Sequence, residues 1–267
     1  MTTPIALTIA GSDSSGGAGI QADLKTFAAF GVYGASVITA LTAQNTTGVS
    51  GIHLVPADFV TAQIDAVFDD LEVKAVKIGM VAQLATIDAI VAGLKRWSPG
   101  HIVLDPVMVA TSGDRLLAAD AVEGLRTKLI PLASLLTPNL PEAAALLDEE
   151  VAASAAATES QGKRLLALGC RAVLIKGGHG QGAESTDYFF GGNGDVIALP
   201  APRIATKNTH GTGCSLSSAI AAGLAKGEDM ETAVRRAKAW VSAAIAAADR
   251  LGVGHGHGPI HHFHGFY

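Results

Sequence analysis

The chain alternates short apolar segments with longer amphipathic segments over its first 176 residues. Runs rich in Val, Ile and Leu predict β-strands at 5–10, 32–42, 73–78, 102–105, 135–137 and 172–176. Helical spacing of apolar residues predicts helices between them, at 18–30, 56–68, 82–96, 118–130, 141–147 and 160–168. This alternation predicts a mostly parallel sheet that is covered by helices on both faces.

The pattern changes after residue 176. Residues 185–190 and 196–199 flank a Gly-Gly-Asn-Gly-Asp turn that leaves no room for a helix, so they predict an antiparallel hairpin. Two Ala-rich helices are expected at 212–225 and 228–250. Because a (β/α)₈ barrel needs a helix after every strand, the hairpin favours an open α/β sheet with an antiparallel edge. We expect one domain over residues 1–267, with a His-rich tail at about 254–267.

Composition excludes several classes of protein. Apolar residues make up 49% of the chain and charged residues 16%, which is typical of a compact globular protein rather than a disordered one. The net charge of −5 and the lack of a dense Lys/Arg run argue against a nucleic-acid partner. The sequence shows no signal-peptide pattern, no long apolar span and no metal-binding or CxxC spacing of its two cysteines. A cytoplasmic protein without a membrane partner is therefore predicted.

A Gly-rich segment at residues 11–19 follows the first predicted strand and opens the first predicted helix. Part of it, residues 17–22, fits the GxGxxA pattern of dinucleotide sites. Such sites also use an acidic residue after the second strand, whereas residues 37–45 offer neutral polar groups that include Thr42 and Gln44. The glycines are compatible with a plain tight turn. Their position at a strand's C-terminal end favours a loop that binds a neutral heterocycle.

A second Gly-rich turn, Thr-His-Gly-Thr-Gly-Cys at residues 209–214, leads directly into an Ala-rich helix. The backbone N–H groups of Gly211, Thr212, Gly213 and Cys214 would point at an anion, as in a phosphate site or oxyanion hole. The helix N-terminus would lower the pKa of Cys214, so that its thiolate could accept a proton from a hydroxyl group. A lone helical Cys is more often a small buried apolar residue, but the glycines favour the functional interpretation.

Further polar side chains follow predicted strands. Asn139 and Glu142 come after the strand at 135–137, where they fit either a hydrated Mg²⁺ beside phosphates or a simple helix N-cap. Spacing does not separate these two interpretations. Asp105 and Lys176 also end strands, and the C-terminal ends of parallel strands meet at one edge of the sheet. We therefore expect these four side chains to share that edge.

Residues 254–264 hold five of the nine histidines, interspersed with glycine. Such a segment can bind Ni²⁺ or Zn²⁺ incidentally. After the last predicted helix it is expected to be a flexible tail without a scaffold for catalysis. We assign it no function.

Together these motifs resemble those of the ribokinase-like kinases of small alcohols and vitamins. The resemblance rests on Asp105, the NxxE pattern at 139–142, Lys-Gly-Gly-His at 176–179 and His-Gly-Thr-Gly-Cys at 210–214. The opening segment at 8–25 and Thr-Ala-Gln-Asn at 42–45 are similar to the bacterial hydroxymethylpyrimidine/phosphomethylpyrimidine kinases of thiamine biosynthesis. The resemblance covers nearly the whole chain, from about residue 5 to about residue 259.

The resemblance implies a ribokinase-like three-layer α/β/α sandwich and an ATP- and Mg²⁺-dependent enzyme that phosphorylates hydroxymethylpyrimidine twice, commonly as a homodimer. It places the pyrimidine against Gly11, Asp23, Gln44, Met80 and Val107. It places Asp105, Asn139 and Lys176 near the nucleotide, Glu142 and Asp105 near Mg²⁺, and the turn at 211–214 at the transferred phosphoryl group, with Cys214 as the base. The family usually has Lys where this chain has Thr111, a difference that would weaken phosphate binding or the second transfer.

Three other functions remain to be separated from this one. A pyridoxal or pyridoxine kinase of the same superfamily would share most of the motifs. A noncatalytic heterocycle-binding module would be expected to lack some of them, whereas this chain has the full set. An NAD-dependent oxidoreductase would rest on residues 17–22 alone and lacks the acidic ribose ligand.

Overall fold

The structure is a computed structural model that describes residues 2–108, 119–179 and 182–267. Its strands are β1 Ile5–Asp13, β2 Tyr33–Asn45, β3 Gly48–Leu54, β4 Ala75–Ile78, β5 His101–Leu104, β6 Leu135–Leu136, β7 Val173–Ile175, β8 Asp187–Phe190 and β9 Val196–Leu199. Its α-helices are α1 Gly19–Ala29, α2 Ala57–Asp70, α3 Leu84–Trp97, α4 Ala119–Gly124, α5 Leu140–Leu147, α6 Ala155–Leu166, α7 Thr212–Ala225 and α8 Met230–Ala246. Within these ranges no helix is both long enough and apolar enough to cross a membrane.

All these strands belong to one sheet, in the order β3-β2-β1-β4-β5-β6-β7-β8-β9. The six strands from β2 to β7 in this order run parallel. The pair β8 and β9 adds to β7 in antiparallel fashion, as predicted for the hairpin. The predicted α/β architecture, a mostly parallel sheet with an antiparallel edge, is therefore confirmed.

A second antiparallel hairpin, which the sequence analysis did not predict, closes the opposite edge of the sheet. There β2 continues to Asn45, turns, and pairs with β3. The sequence of β3, Gly-Val-Ser-Gly-Ile-His-Leu, has two glycines and no fully buried residue. Because neither face of β3 enters the core, its apolar residues do not form the alternating pattern that marks a half-buried strand.

Two hydrophobic clusters pack on the two faces of the sheet. One joins β1, β4 and β5 to α2 and α3 through side chains such as Leu7, Ile78 and Ile90. The other joins α1, α7 and α8 through Phe27, Ile220 and other small or apolar residues. Each fully buried side chain of this size contributes about 1.5–3 kcal/mol. In α7, every residue from Ser215 to Ala225 is buried, so this helix is fixed on all sides.

Candidate active site

A cavity of about 660 Å³ opens at the C-terminal ends of the parallel strands, where α7 begins. Sites of this size hold small-molecule ligands. Its lining includes most of the predicted site residues: Gly11, Gln44, Met80, Asp105, Val107, Asn139, Glu142, Lys176, Gly211, Thr212, Gly213 and Cys214. Residues as far apart in the sequence as Gly11 and Cys214 therefore meet at one place.

Asp13 organises the first Gly-rich loop. Its carboxylate accepts backbone N–H bonds from Ser15 at 2.8 Å, Gly17 at 3.1 Å and Ala18 at 2.8 Å. The Nε2 atom of His210 lies 2.8 Å from Asp13 Oδ2. Burial opposes the charge of Asp13, but these hydrogen bonds dominate and lower its pKa to about 2. Asp13 is thus a fixed anion that holds the loop and ties it to the second Gly-rich turn.

The two Gly-rich segments pack without room for side chains. Gly211 has φ +79°, and a Cβ atom there would collide with the carbonyl oxygen of Gly17. A Cβ on Gly17 would in turn lie 2.5 Å from Cδ2 of His210. Glycine at these positions is therefore required by close contact between backbones, and at Gly211 also by the left-handed conformation.

The turn at 211–214 leads into the N-terminus of α7, but the N–H of Thr212, expected to face an anion, is already used within the turn. Thr212 uses its N–H and its hydroxyl to bind the carbonyl oxygen of Thr209, at 3.2 and 2.7 Å. Helix geometry leaves the amides of Gly213 and Cys214 as the donors that can face a ligand. A Cβ on Gly213 would lie 3.3 Å from Nζ of Lys176 and 3.7 Å from Oδ2 of Asp105. Backbone donors, a cation and a carboxylate thus converge on one point.

Lys176 is the cation of this group. Its Nζ lies 2.6 Å from Oδ1 of Asp105 and 3.8 Å from Oε2 of Glu142. Burial disfavours the charge of Lys176, but the two carboxylates outweigh it and raise the pKa of the lysine. Lys176 therefore stays protonated at neutral pH.

Asn139 and Glu142 form a reciprocal capping box at the start of α5. Glu142 donates its backbone N–H to Asn139 Oδ1 at 2.8 Å, and Asn139 donates its own to Glu142 Oε2 at 2.7 Å. The N-cap interpretation is therefore correct, and the same box turns both residues toward the cavity. Burial raises the pKa of Glu142 to about 7, Lys176 opposes this shift and Asp105 adds to it.

The raised pKa of Glu142 predicts a pH-dependent stability. Because the folded pKa of about 7 exceeds the ordinary 4.5, the group adds stability that is fully present below pH 4.5 and is lost as pH rises through 7. Glu142→Gln keeps the capping box. Its free energy of unfolding, relative to that of the wild type, should be about 2 kcal/mol higher at pH 8 than at pH 5. Urea unfolding at both pH values in EDTA measures this gain, and a pH-independent difference between the two proteins would contradict it.

At the other end of the cavity, Gly11 leaves room for Met80, since a Cβ there would lie 2.6 Å from the Met80 methyl group. Gln44 lies close to Thr42, whose hydroxyl is 3.1 Å from Gln44 Oε1. The amide nitrogen of Gln44 is 3.5 Å from Nε2 of His210. The neutral polar end predicted from residues 37–45 is therefore part of the cavity. Thr111 lies outside the described residues.

Asp23 does not take the place expected of a residue that contacts substrate. Its side chain is completely buried and is absent from the cavity lining. Both of its oxygens bind Nζ of Lys77, at 2.8 and 3.0 Å, and Lys77 does line the cavity. The expected direct contact between Asp23 and the substrate is therefore wrong. Helix α1 turns the Asp23 side chain inward against β4.

Lys77 itself was missed by the sequence analysis. It lies in β4, Ala-Val-Lys-Ile, all four residues of which are buried. A lysine inside an otherwise apolar strand is the signal that marks it, since Lys is almost never fully buried unless it is paired.

The pKa expected for Cys214 is also corrected. Burial raises the pKa of the Cys214 thiol to about 11, Lys77 opposes the shift, and Asp23 and Asp105 add to it. The field at the helix N-terminus is therefore outweighed by loss of water and by the neighbouring carboxylates. At neutral pH the resting protein holds Cys214 mainly as the thiol.

An apolar region also lines the cavity. It is formed by Pro202 and Ile204 of the segment before the turn, and by Leu216, Val241 and Ile245 of α7 and α8. The sequence analysis did not identify these residues. They carry no chemical signature, and apolar residues on helices are usually core residues.

The C-terminal segment is not a flexible tail, contrary to the expectation from its Gly and His content. His210 donates its backbone N–H to the carbonyl of Gly258 at 3.0 Å, and Ile260 is completely buried. His262 is also buried, with Nε2 2.9 Å from the hydroxyl of Ser215 in α7. Burial lowers the pKa of His262 to about 4, so it is neutral at pH 7. The segment supports the turn at 211–214 from behind.

Replacing Ile260 by Asp should therefore disturb the active site from a distance. A buried, unpaired carboxylate would destabilise the fold by about 3 kcal/mol or more and release the C-terminal segment that accepts the His210 N–H. We expect a lower melting temperature together with loss of the protein's activity. Val253→Asp, at a 46% exposed position just before this segment, is the matched control and should change neither. Equal melting temperatures and equal activities of the two variants would show that the C-terminal segment does not support the turn at 211–214.

Among the described residues, no group of three or more His, Cys, Asp and Glu side chains could hold a metal ion alone. The carboxylates of Asp105 and Glu142 do supply oxygen ligands at the cavity wall. A hydrated Mg²⁺ that is shared with phosphates needs only one or two such ligands. This donor set fits that kind of site.

The chain matches a family model and whole proteins along nearly its full length. The model of phosphomethylpyrimidine kinase covers residues 13–261. A hydroxymethylpyrimidine/phosphomethylpyrimidine kinase of Rhizobium meliloti is 60% identical over 262 residues, which is 98% of each chain. The two sequences are thus similar along nearly their full length.

Two solved structures have the same fold. Phosphomethylpyrimidine kinase of Clostridium difficile is 46% identical, with a TM-score of 0.79 over 90% of this chain and 99% of that one. The ADP complex of Bacillus subtilis pyridoxal kinase is 34% identical, with a TM-score of 0.89 over 98% of both chains. The match of the family model to most of the chain, together with these relatives, shows that the chain belongs to the phosphomethylpyrimidine kinase family.

Proposed function

We propose that this protein transfers phosphate from ATP to 4-amino-5-hydroxymethyl-2-methylpyrimidine, and then phosphorylates the monophosphate to the diphosphate in thiamine biosynthesis. One observation carries the proposal. A single cavity joins a neutral polar end at Gln44 to an anion-binding end, where Lys176 and the amides of Gly213 and Cys214 converge. Kinases work mainly by positioning and by stabilising charge, and this arrangement supplies both.

The nucleotide fits the end of the cavity next to α7 and α8. The apolar region at Ile204, Leu216 and Val241 suits a planar base, and from there phosphates would extend to the N-terminus of α7. The pyridoxal kinase of the same fold is known with bound ADP. We therefore assign ATP as the phosphate donor.

Mg²⁺ is the metal that the oxygen ligands of this end suit best. Asp105 and Glu142 would hold it through one carboxylate oxygen each or through water, and Asn139 fixes Glu142 from behind. When bound, the ion would neutralise negative charge on the phosphates. Lys176, already paired with Asp105, would remain as the protein's own cation at the transferred group.

Gln44 is proposed to read the edge of the heterocycle. Its amide can donate one hydrogen bond and accept another, which matches the adjacent amino group and ring nitrogen of an aminopyrimidine. Its backbone is fixed by hydrogen bonds with Ser14 at 2.9 and 2.7 Å. Met80 and Val107 would contact the flat faces of the ring, and Gly11 leaves the space that Met80 occupies.

The two transfers would use the same acceptor end of the cavity. In the first, Cys214 would accept the proton of the hydroxymethyl group, while Gly213 and Lys176 would stabilise charge on the moving phosphoryl group. In the second, the acceptor is a phosphate monoester that is already anionic, so no base is needed. The amides and Lys176 would then carry most of the catalysis.

A pyridoxal or pyridoxine kinase is the second candidate, because a pyridoxal kinase shares the fold at 34% identity. The experiment that separates the two is an assay with ATP and Mg²⁺ in which hydroxymethylpyrimidine, its monophosphate and pyridoxine are offered separately. We expect kcat/KM for both pyrimidines to exceed that for pyridoxine. Preferred turnover of pyridoxine would assign the protein to vitamin B6, and no turnover of any acceptor would favour a binding module.

We also propose that the protein forms a homodimer through the hairpin of β2 and β3. β3 forms one edge of the sheet, and the hairpin exposes Leu41 by 47% and Ile52 by 46%. Exposed apolar side chains beside an open sheet edge favour association with a second copy. Light scattering should give twice the monomer mass of 27.1 kDa, whereas a mass of one chain would refute the dimer.

A further inference from the structure

A buried ion pair lies directly beneath the start of α7. The side chains of Lys77 and Asp23 are both 0% exposed, and Lys77 Nζ is 2.8 Å from Asp23 Oδ2. Thr8 donates its hydroxyl to Asp23 Oδ2 at 2.6 Å, and Ser218 donates its hydroxyl to Oδ1 at 2.7 Å. Each oxygen of Asp23 therefore has two partners. These contacts hold the Asp23 carboxylate in a fixed position.

The pair faces Cys214. Ser218 follows Cys214 by four residues in α7, so both side chains lie on the same face of the helix, and Ser218 contacts the pair directly. Lys77 and Cys214 both line the cavity, whereas Asp23 does not. The cation thus lies on the cavity side of the pair, sealed from solvent, and its counterion lies behind it.

Glycine makes room for the cation. A Cβ on Gly79, at the end of β4, would lie 2.8 Å from Lys77 Nζ. A buried ion pair is weak support for a fold, because well-packed apolar residues in its place are often as stable. Lys77 is paired with Asp23, which other side chains hold in place, and Gly79 leaves space for Lys77 at the cavity wall. These features indicate a chemical role for the lysine.

Four charged groups act on Cys214 from the elements that surround it. They are Lys77 of β4, Asp23 of α1, Asp105 after β5 and Lys176 after β7. Lys77 favours the thiolate form of Cys214, and Asp23 and Asp105 disfavour it. Lys176 is already paired with Asp105 at 2.6 Å. Of these charges, that of Lys77 has the largest effect on Cys214, and it is the one that favours the thiolate.

We propose that Lys77, anchored by Asp23, serves the first of the two transfers by stabilising the thiolate of Cys214 that removes the proton from the hydroxymethyl group. The inference rests on the proposed function. The hydroxyl proton passes to Sγ of Cys214 as the oxygen forms a bond to the γ-phosphorus of ATP. The bond from that phosphorus to the bridging oxygen breaks, and ADP leaves with the electron pair. Lys77 acts through Cys214 and is a positioning residue.

The charge effect can be measured without any substrate, by the rate at which iodoacetamide alkylates Cys214. Cys170→Ala, at a buried position outside the cavity lining, provides a background in which Cys214 is the single thiol. In that background Lys77→Met should slow alkylation about tenfold, the effect of one unit of pKa, and Asp23→Asn should accelerate it. A loosened structure would accelerate alkylation in both variants, so opposite signs identify the charge.

A second comparison keeps the test valid if Lys77→Met does not fold alone. Asp23→Asn and the double variant Asp23→Asn/Lys77→Met differ only at Lys77, and neither leaves a buried carboxylate unpaired. The double variant should be alkylated more slowly than Asp23→Asn. Equal rates, or faster alkylation of both Lys77→Met and Asp23→Asn, would overturn the proposal.

The two transfers supply the functional readout. Lys77→Met should lower kcat for the hydroxymethyl acceptor about tenfold and leave kcat for the monophosphate acceptor within about threefold, because the phosphate needs no base. An equal loss in both transfers would overturn the selective role of Lys77. A wild-type protein that phosphorylates neither pyrimidine would instead refute the proposed function, while the alkylation rates still report the charge on Cys214.

Discussion

Gly211→Ala is expected to lower kcat/KM for the first phosphorylation by about 100-fold or more. The new methyl group would collide with the carbonyl oxygen of Gly17, in a left-handed conformation that Ala disfavours. The turn would have to move, and with it the amides of Gly213 and Cys214. Loss of one such donor costs about 10²- to 10³-fold in catalysis. Steady-state kinetics with ATP and hydroxymethylpyrimidine measure the effect.

Gly227→Ala is the matched control for this prediction. Gly227 has φ +87°, close to that of Gly211, but a Cβ there meets nothing within 4 Å. The Gly227→Ala substitution should lower the stability by about 1–2 kcal/mol, because of the backbone conformation alone, and should leave kcat/KM unchanged. If both variants keep wild-type activity, the close packing of the two Gly-rich segments has no catalytic importance.

Lys176→Met is expected to lower kcat/KM for ATP by about 10²- to 10³-fold, because it removes the cation next to the α7 N-terminus. The loss should affect both transfers alike, since each moves a phosphoryl group past the same point. The substitution also removes the group that opposes the raised pKa of Glu142, so the acid limb of the pH–rate profile should move to higher pH.

The control for Lys176→Met is Lys163→Met, on the exposed surface of α6, where Lys163 pairs with Glu159 of the same helix. A surface ion pair of this kind contributes little to stability, so the activity of Lys163→Met should equal that of the wild type. Circular dichroism and melting temperatures establish that Lys176→Met is folded at the assay temperature. A folded Lys176→Met protein within threefold of wild-type activity would show that Lys176 does not act on the transferred group.

Much of the site was predictable because parallel strands deliver their C-terminal ends to one edge. Asp105, Lys176 and the pair Asn139 and Glu142 each follow a strand of the sequence pattern, and the structure brings them together. The Gly-rich turn at 211–214 was identifiable because it runs directly into a long Ala-rich helix.

Other features depend on burial, which the pattern does not give. The pKa of Cys214 follows from loss of water and from carboxylates brought by α1 and β5, not from its place at a helix start. The C-terminal segment looked flexible from its Gly and His residues. It is ordered because Ile260 is buried and His262 binds Ser215, next to the ring of Trp240 at 6.3 Å. Side-chain partners of this kind appear only once the fold is formed.

The most direct test of the two-step account is a time course with one starting acceptor. The purified protein is incubated with ATP, Mg²⁺ and hydroxymethylpyrimidine, and the products are separated and identified by mass. We predict that the monophosphate forms first and that the diphosphate follows after a lag, as the monophosphate returns to the same cavity. Accumulation of the monophosphate without any diphosphate, or no product at all, would contradict the account.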